Sequence, residues 1–194
     1  MQIKLKNIHY NIENKKILND INLIFINNNI YNIYGLNGNG KTTILKILAK
    51  LLNQSSGNIN HNIPQNKISY LSHNFDLFHE KTVHENLTFW LALDNQKFEE
   101  CYDIVKELKM TNHLDKLYGS LSAGMKKKIL IIKAFMKKSN LILLDEPFAN
   151  LDEKNKKLVE NLILKSITDD NIIILTNHTK LDWTTYNYSI GNNE

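Results

Sequence analysis

The chain has 194 residues, 42% of them hydrophobic and 23% charged, which suits one folded core with or without a subdomain and excludes a disordered or fibrous protein. Its formal charge of +4 is spread along the sequence, with Lys126-Lys127-Lys128 the single tight run, so no nucleic-acid partner is expected. All 24 basic residues are lysines, so this sequence has no arginine finger to offer a transition state, and the abundant Asn reads as compositional drift carrying no message at the surface.

In chain order, residues 3–8 and about 21–26 read as strands joined by a polar turn at Glu13-Asn14-Lys15. They predict an antiparallel β subdomain at the N-terminal end. Met1 to Lys6 alternates as a strand and has no continuous apolar region, so it is not a signal peptide. Ile30-Tyr31-Asn32-Ile33-Tyr34 is the next strand, and Ile44, Ile47, Leu48, Leu51 and Leu52 recur at helical spacing after it. Between them lies Gly35-Leu36-Asn37-Gly38-Asn39-Gly40-Lys41-Thr42, which fits G-x-x-x-x-G-K-[ST] at every fixed position. Glycines without a Cβ let successive amides turn inward onto phosphate oxygens. Lys41 can reach the β- and γ-phosphates, the Thr42 hydroxyl can ligate Mg²⁺, and the following helix aims its positive end at the same anion. A nucleoside triphosphate with Mg²⁺ is the ligand this stretch predicts.

Beyond that helix, residues 54–57 read as a turn, 58–60 as extended, and 67–72 as a core strand ending at His73-Asn74. From 75 to 118 the texture becomes helical, with Val83, Asn86, Leu87, Trp90 and Leu91 on one face and Phe98, Tyr102, Val105 and Leu108 on another. Ser122 is an N-cap for a helix running to about Lys138. Leu141-Ile142-Leu143-Leu144 is a strand buried on both faces that delivers Asp145 and Glu146, with Pro147 ending it. A helix over about 153–167 and a strand over 172–176 follow, with His178 just past its end. Gly35, His73, Asp145 and His178 thus all fall at carboxyl ends of strands, where open α/β sheets place their chemistry. Asp145 can hold the Mg²⁺ shell while Glu146 polarises a water for attack on the γ-phosphorus, and His178 suits a polar contact to that phosphate. Cys101, the single cysteine, excludes an internal disulfide, fits a reducing compartment and reads as a small buried residue. No apolar run approaches the roughly 20 residues of a membrane-spanning helix, so contact with a membrane is expected only through partners.

These motifs resemble, in order and spacing, those of ABC transporter ATP-binding subunits. Gly35 to Thr42 with Thr43 corresponds to Walker A, Leu121-Ser122-Ala123-Gly124-Met125 to the signature, Leu141 to Glu146 to Walker B with the catalytic acid, Ala149-Asn150-Leu151-Asp152 to the D-loop, and His178 to the switch histidine. The resemblance implies an α/β fold: a P-loop NTPase (RecA-like) core of ABC type over 1–74 and 119–194, with the antiparallel β subdomain and a helical insertion at 75–118. It implies ATP and Mg²⁺ as ligands, a second copy whose Ser122 and Gly124 cap the ATP, and integral membrane subunits that hold the protein at the cytoplasmic face of the inner membrane. His73 or Asn74 stands where the family has a Gln, Ala123 and Met125 depart from L-S-G-G-Q, and the adenine-stacking aromatic aligns nearer Ile12 than Tyr10. Within the family the chain is similar to haem-exporter subunits of bacterial cytochrome c maturation. A different cargo, or a soluble ABC-type ATPase serving as an assembly factor in iron–sulfur cluster assembly, are the alternatives.

Overall fold

The computed structural model describes residues 1–13, 15–72 and 77–191, which fall into two units. The first comprises Met1–Tyr70, Ser139–Glu146 and the chain from Ile167 onward; the second comprises Leu71–Lys138 and Pro147–Ser166.

In the first unit, β1 (Gln2–Ile12) and β2 (Lys15–Ile26) form a hairpin longer than the two predicted runs. The alternation that buries Ile3 and Leu5 is then broken, and Ile8 takes the next inward place. The cause is a bulge around Asn7, whose φ of 50° inserts an extra residue and restores the inward phase. Opposite it, β4 (Ser56–Asn60) pairs with β1, completing a sheet of order β2-β1-β4. Ser56 and Gly57 belong to this strand, not to the predicted turn. A Cβ on Gly57 would lie 2.1 Å from the Asn7 carbonyl oxygen, so the bulge demands glycine there.

The central sheet has the order β5-β6-β7-β3-β8, from β3 (Asn29–Tyr34), β5 (Ile68–Leu71), β6 (Leu141–Leu144), β7 (Ile172–Asn177) and β8 (Tyr186–Ser189). β3 runs parallel to both β7 and β8, and β6 parallel to β7. All of β6 is buried, as its unbroken apolar run requires, each such side chain contributing about 1.5–3 kcal/mol. Helix α1 (Lys41–Leu48) buries Ile44, Leu45, Ile47 and Leu48 in one core with Phe25, Tyr31 and Ile33. β8 was not expected from the sequence. Its Tyr186 and Tyr188 stack on Tyr31 at 5.1 and 5.9 Å between ring centroids, which gives an otherwise polar strand its reason to pair.

The second unit holds α2 (Val83–Leu93), α3 (Tyr102–Glu107), α4 (Ala123–Met136) and α5 (Glu153–Lys165). Thr82 and Glu85 form a reciprocal capping box at the start of α2, worth about 1 kcal/mol. Helix α4 touches α2 and α3, and burial of Ile129, Ile131 and Ile132 fixes its inward side. It ends at Met136, shorter than predicted by two residues. The Thr111–His113 break between helices is a 3-10 turn. Among the described residues, no helix is long and apolar enough to cross a membrane.

Candidate functional site

Strand β3 ends at Tyr34 and α1 begins at Lys41, so the glycine loop occupies the turn between them. Gly40 is the N-cap at φ 84°, and Gly38 has φ 86°, a left-handed backbone that side chains strain to adopt. The loop is gripped from two directions that the motif does not announce. A Cβ on Gly40 would meet Leu18 of β2 at 2.4 Å, and one on Gly35 would meet the Ile190 carbonyl oxygen at 2.3 Å. Asn39 Nδ2 donates to that same oxygen at 3.1 Å, while Ile190 N donates to Tyr34 O at 2.9 Å. The segment behind β8 is therefore the back wall of the loop. Lys41 is buried, and its Nζ donates to Gly35 O at 2.7 Å and Leu36 O at 2.9 Å, which folds the ammonium into the loop. Leu36, Asn37 and Gly38 are exposed and Thr43 is half-buried.

Strand β6 delivers Asp145, 1% exposed, to the edge of this loop. Thr42 Oγ1 lies 2.9 Å from Asp145 Oδ2 and 3.1 Å from Oδ1. A hydroxyl and a carboxylate at this spacing are the hard oxygen donors that Mg²⁺ takes when phosphates complete its shell. Thr176, at the end of β7, was not singled out in the sequence. Its Oγ1 donates to Asp145 Oδ1 at 2.7 Å and accepts from Glu146 N at 2.9 Å, linking the two acids. The only sequence signal was a hydroxyl closing an apolar strand. Glu146 has φ 46°, a left-handed backbone unusual for a residue other than glycine. Glu146 Oε1 stands 3.7 Å from His178 Nε2, with His178 half exposed.

Ser122 and Gly124 belong to the second unit. Ser122 caps α4, its Oγ accepting from Met125 N at 3.3 Å. A Cβ on Gly124 would lie 2.9 Å from Asn150 O, so the signature turn and the Asn150–Asp152 segment form one contact. Asp152 caps α5 by accepting from Asn155 N at 2.8 Å, which holds its carboxyl below the usual range. Behind the signature, Lys128 is buried and donates to Leu108 O at 3.0 Å, and burial lowers its pKa. His73 and Asn74 lie outside the described residues. Tyr10 is half-buried against the core, whereas Ile12 is 53% exposed. Cys101 is buried, as expected.

A phosphate loop between β3 and α1, two acids ending β6 and a histidine ending β7 define a P-loop ATPase with an added antiparallel β sheet and a helical unit. The model for the ABC transporter family matches residues 18–149, and the chain belongs to that family as an ATP-binding, ATP-hydrolysing subunit. It is 34% identical over 182 residues to the cytochrome c biogenesis ATP-binding export protein CcmA of Rickettsia felis, covering 91% of this chain and 92% of that one. It is 36% identical over 169 residues to the protein of the same name from Rickettsia conorii, covering 84% and 88%. The fold is shared with a putative ABC transporter ATP-binding protein from Pyrococcus furiosus, with a TM-score of 0.88, 24% identity and 98% of each chain covered.

Proposed function

We propose that this chain powers haem export across the inner membrane for cytochrome c biogenesis, as a peripheral ATPase on the cytoplasmic face. The curated relatives named for that process support the cargo, and one geometric observation supports the chemistry: the Thr42 hydroxyl sits 2.9 Å from Asp145 while His178 and Glu146 stand 3.7 Å apart. In this reading the amides of Gly35 to Thr43 cradle the triphosphate of ATP and Lys41 reaches from the loop to the β- and γ-phosphates. Thr42 and Asp145 hold Mg²⁺, which when bound neutralises charge on the phosphate oxygens. Glu146 orients a water toward the γ-phosphorus and accepts its proton, and His178 contacts the γ-phosphate from the same end of the neighbouring strand β7. Ser122 and Gly124 of a second copy close over the nucleotide with the positive end of α4. Integral membrane subunits dock on the helical insertion at 75–118 and the loop after His73, where His73 or Asn74 relays nucleotide state to them.

The test is Glu146→Gln. With MgATP this variant is expected to bind nucleotide, hydrolyse none and run as a dimer on gel filtration, and Lys41→Ala to abolish both binding and dimer. A Glu146→Gln protein that remains monomeric at saturating MgATP, alone and with its membrane subunits, rules out the capped dimer. Recovery in a cytosolic complex and not with salt-washed membranes rules out the export role.

A further inference from the structure

Asn32 lies in the middle of β3 with no exposed surface, in register with Leu175 of β7 on one side and Asn187 of β8 on the other. A buried amide is unfavourable where its hydrogen bonds are not made, and Asn32 Oδ1 has no partner among the described residues, so the two bonds of its Nδ2 carry its use. Asn32 Nδ2 donates to Thr179 O at 3.0 Å and to Asn187 Oδ1 at 2.7 Å. The amide has one workable orientation, because turning it over would set its oxygen against two acceptors. Asn187 is fixed in turn: its Oδ1 also accepts from Leu181 N at 3.0 Å, and its Nδ2 donates to Leu181 O at 3.0 Å.

Topology explains the need for such a clamp. β7 and β8 flank β3 and both run parallel to it, so residues 178–185 must cross from one side of β3 to the other. That crossover contains no helix. Its far end is tied by Thr185, whose N donates to Ile30 O at 2.9 Å and whose Oγ1 accepts from Ile30 N at 3.1 Å. Its near end begins with His178, and Asn32 binds the very next residue.

We propose that Asn32 is a positioning residue: through the Thr179 carbonyl and Asn187 it fixes the start of the crossover, and with it the place of His178 beside Glu146. This rests on reading His178 as a contact to the γ-phosphate. Asn32 touches neither nucleotide nor water in this account and acts only through His178.

The test is Asn32→Leu in the full chain, which keeps the branch at Cγ and removes both donors. Nucleotide affinity is expected to stay within about twofold, since Lys41 and Thr42 are untouched, while kcat falls about 10- to 100-fold with KM unchanged. The His178 imidazole ¹H–¹⁵N resonances are expected to move. Asn187→Val removes the other half of the clamp at a half-buried position and is expected to move the same resonances. Unchanged His178 resonances in either folded variant, or parental kcat in Asn32→Leu, overturn the proposal. If the parent chain itself hydrolyses no ATP, the functional reading fails, and the resonances still decide what Asn32 positions.

Discussion

Replacing Gly35 by alanine tests whether the phosphate loop depends on the segment behind β8. The new Cβ would sit 2.3 Å from the Ile190 carbonyl oxygen, at a backbone φ of +149°. Carbon–oxygen contacts begin at about 3.3 Å, so loop and wall must part by about 1 Å. The wall is itself anchored, since Ile190 N donates to Tyr34 O at 2.9 Å, and the loop therefore gives way. Backbone strain and overpacking together cost about 2–4 kcal/mol, a fall in Tm of about 4–16 °C for a chain of this size. Displaced amides also weaken the cradle. Loss of one charge-assisted hydrogen bond, about 1.5–3 kcal/mol, lowers nucleotide affinity at least about tenfold. Gly38→Ala is the control: its φ is +86° but nothing lies within 4 Å of the new methyl, so only strain of about 1–2 kcal/mol applies. Scanning calorimetry with and without MgATP, and titration calorimetry with nucleotide, read both effects. A Gly35→Ala protein that melts with Gly38→Ala and binds nucleotide like the parent refutes the reasoning.

Thr176→Val removes the hydroxyl that links Asp145 to the Glu146 amide, and is expected to cost about 1–3 kcal/mol and to lower kcat more than nucleotide affinity. Parental melting and turnover in that variant would show the link to be idle. Ser122→Ala deletes the cap of α4 and should lower stability by about 1 kcal/mol, or about 2–4 °C in Tm, measured by thermal unfolding. Burial raises the Cys101 thiol from its ordinary 9.0 to about 11, so iodoacetamide at pH 8 is expected to modify it only when the protein unfolds. The same shift sets a pH dependence: between about pH 9 and pH 11 the folded state retains a proton that the unfolded state has lost, so stability falls as pH rises through that window. Urea titrations across it should show a shallower fall in Cys101→Ala. An equal slope in both proteins would assign the effect elsewhere, as to Tyr31 and Tyr188, whose pKa values burial raises.

Much of the site was legible because its signals are contiguous. The glycines, Lys41 and Thr42 are written in eight residues, the buried run of β6 presents Asp145 and Glu146 directly, and Ser122 announces its helix by local capping. Less legible were places where one element imposes conformation on another. The bulge at Asn7 is fixed by the pairing of β1 with both neighbours, and β8 forms because Tyr31 offers its ring. An abundance of Asn hid Asn32 and Asn187, since composition cannot separate a buried amide from a surface one.

By itself, then, the sequence determined the local parts: a glycine loop opening a helix, two acids ending a buried strand, a histidine past another and a capped helix, each specified among near neighbours. Tertiary structure alone decided which distant groups meet. Thr42 and Asp145 are 103 residues apart, Asn32 and Thr179 are 147 apart, and Asn39 and Ile190 are 151 apart. Such contacts follow from strand order and burial, which are properties of the whole folded chain and are written in no single stretch of it.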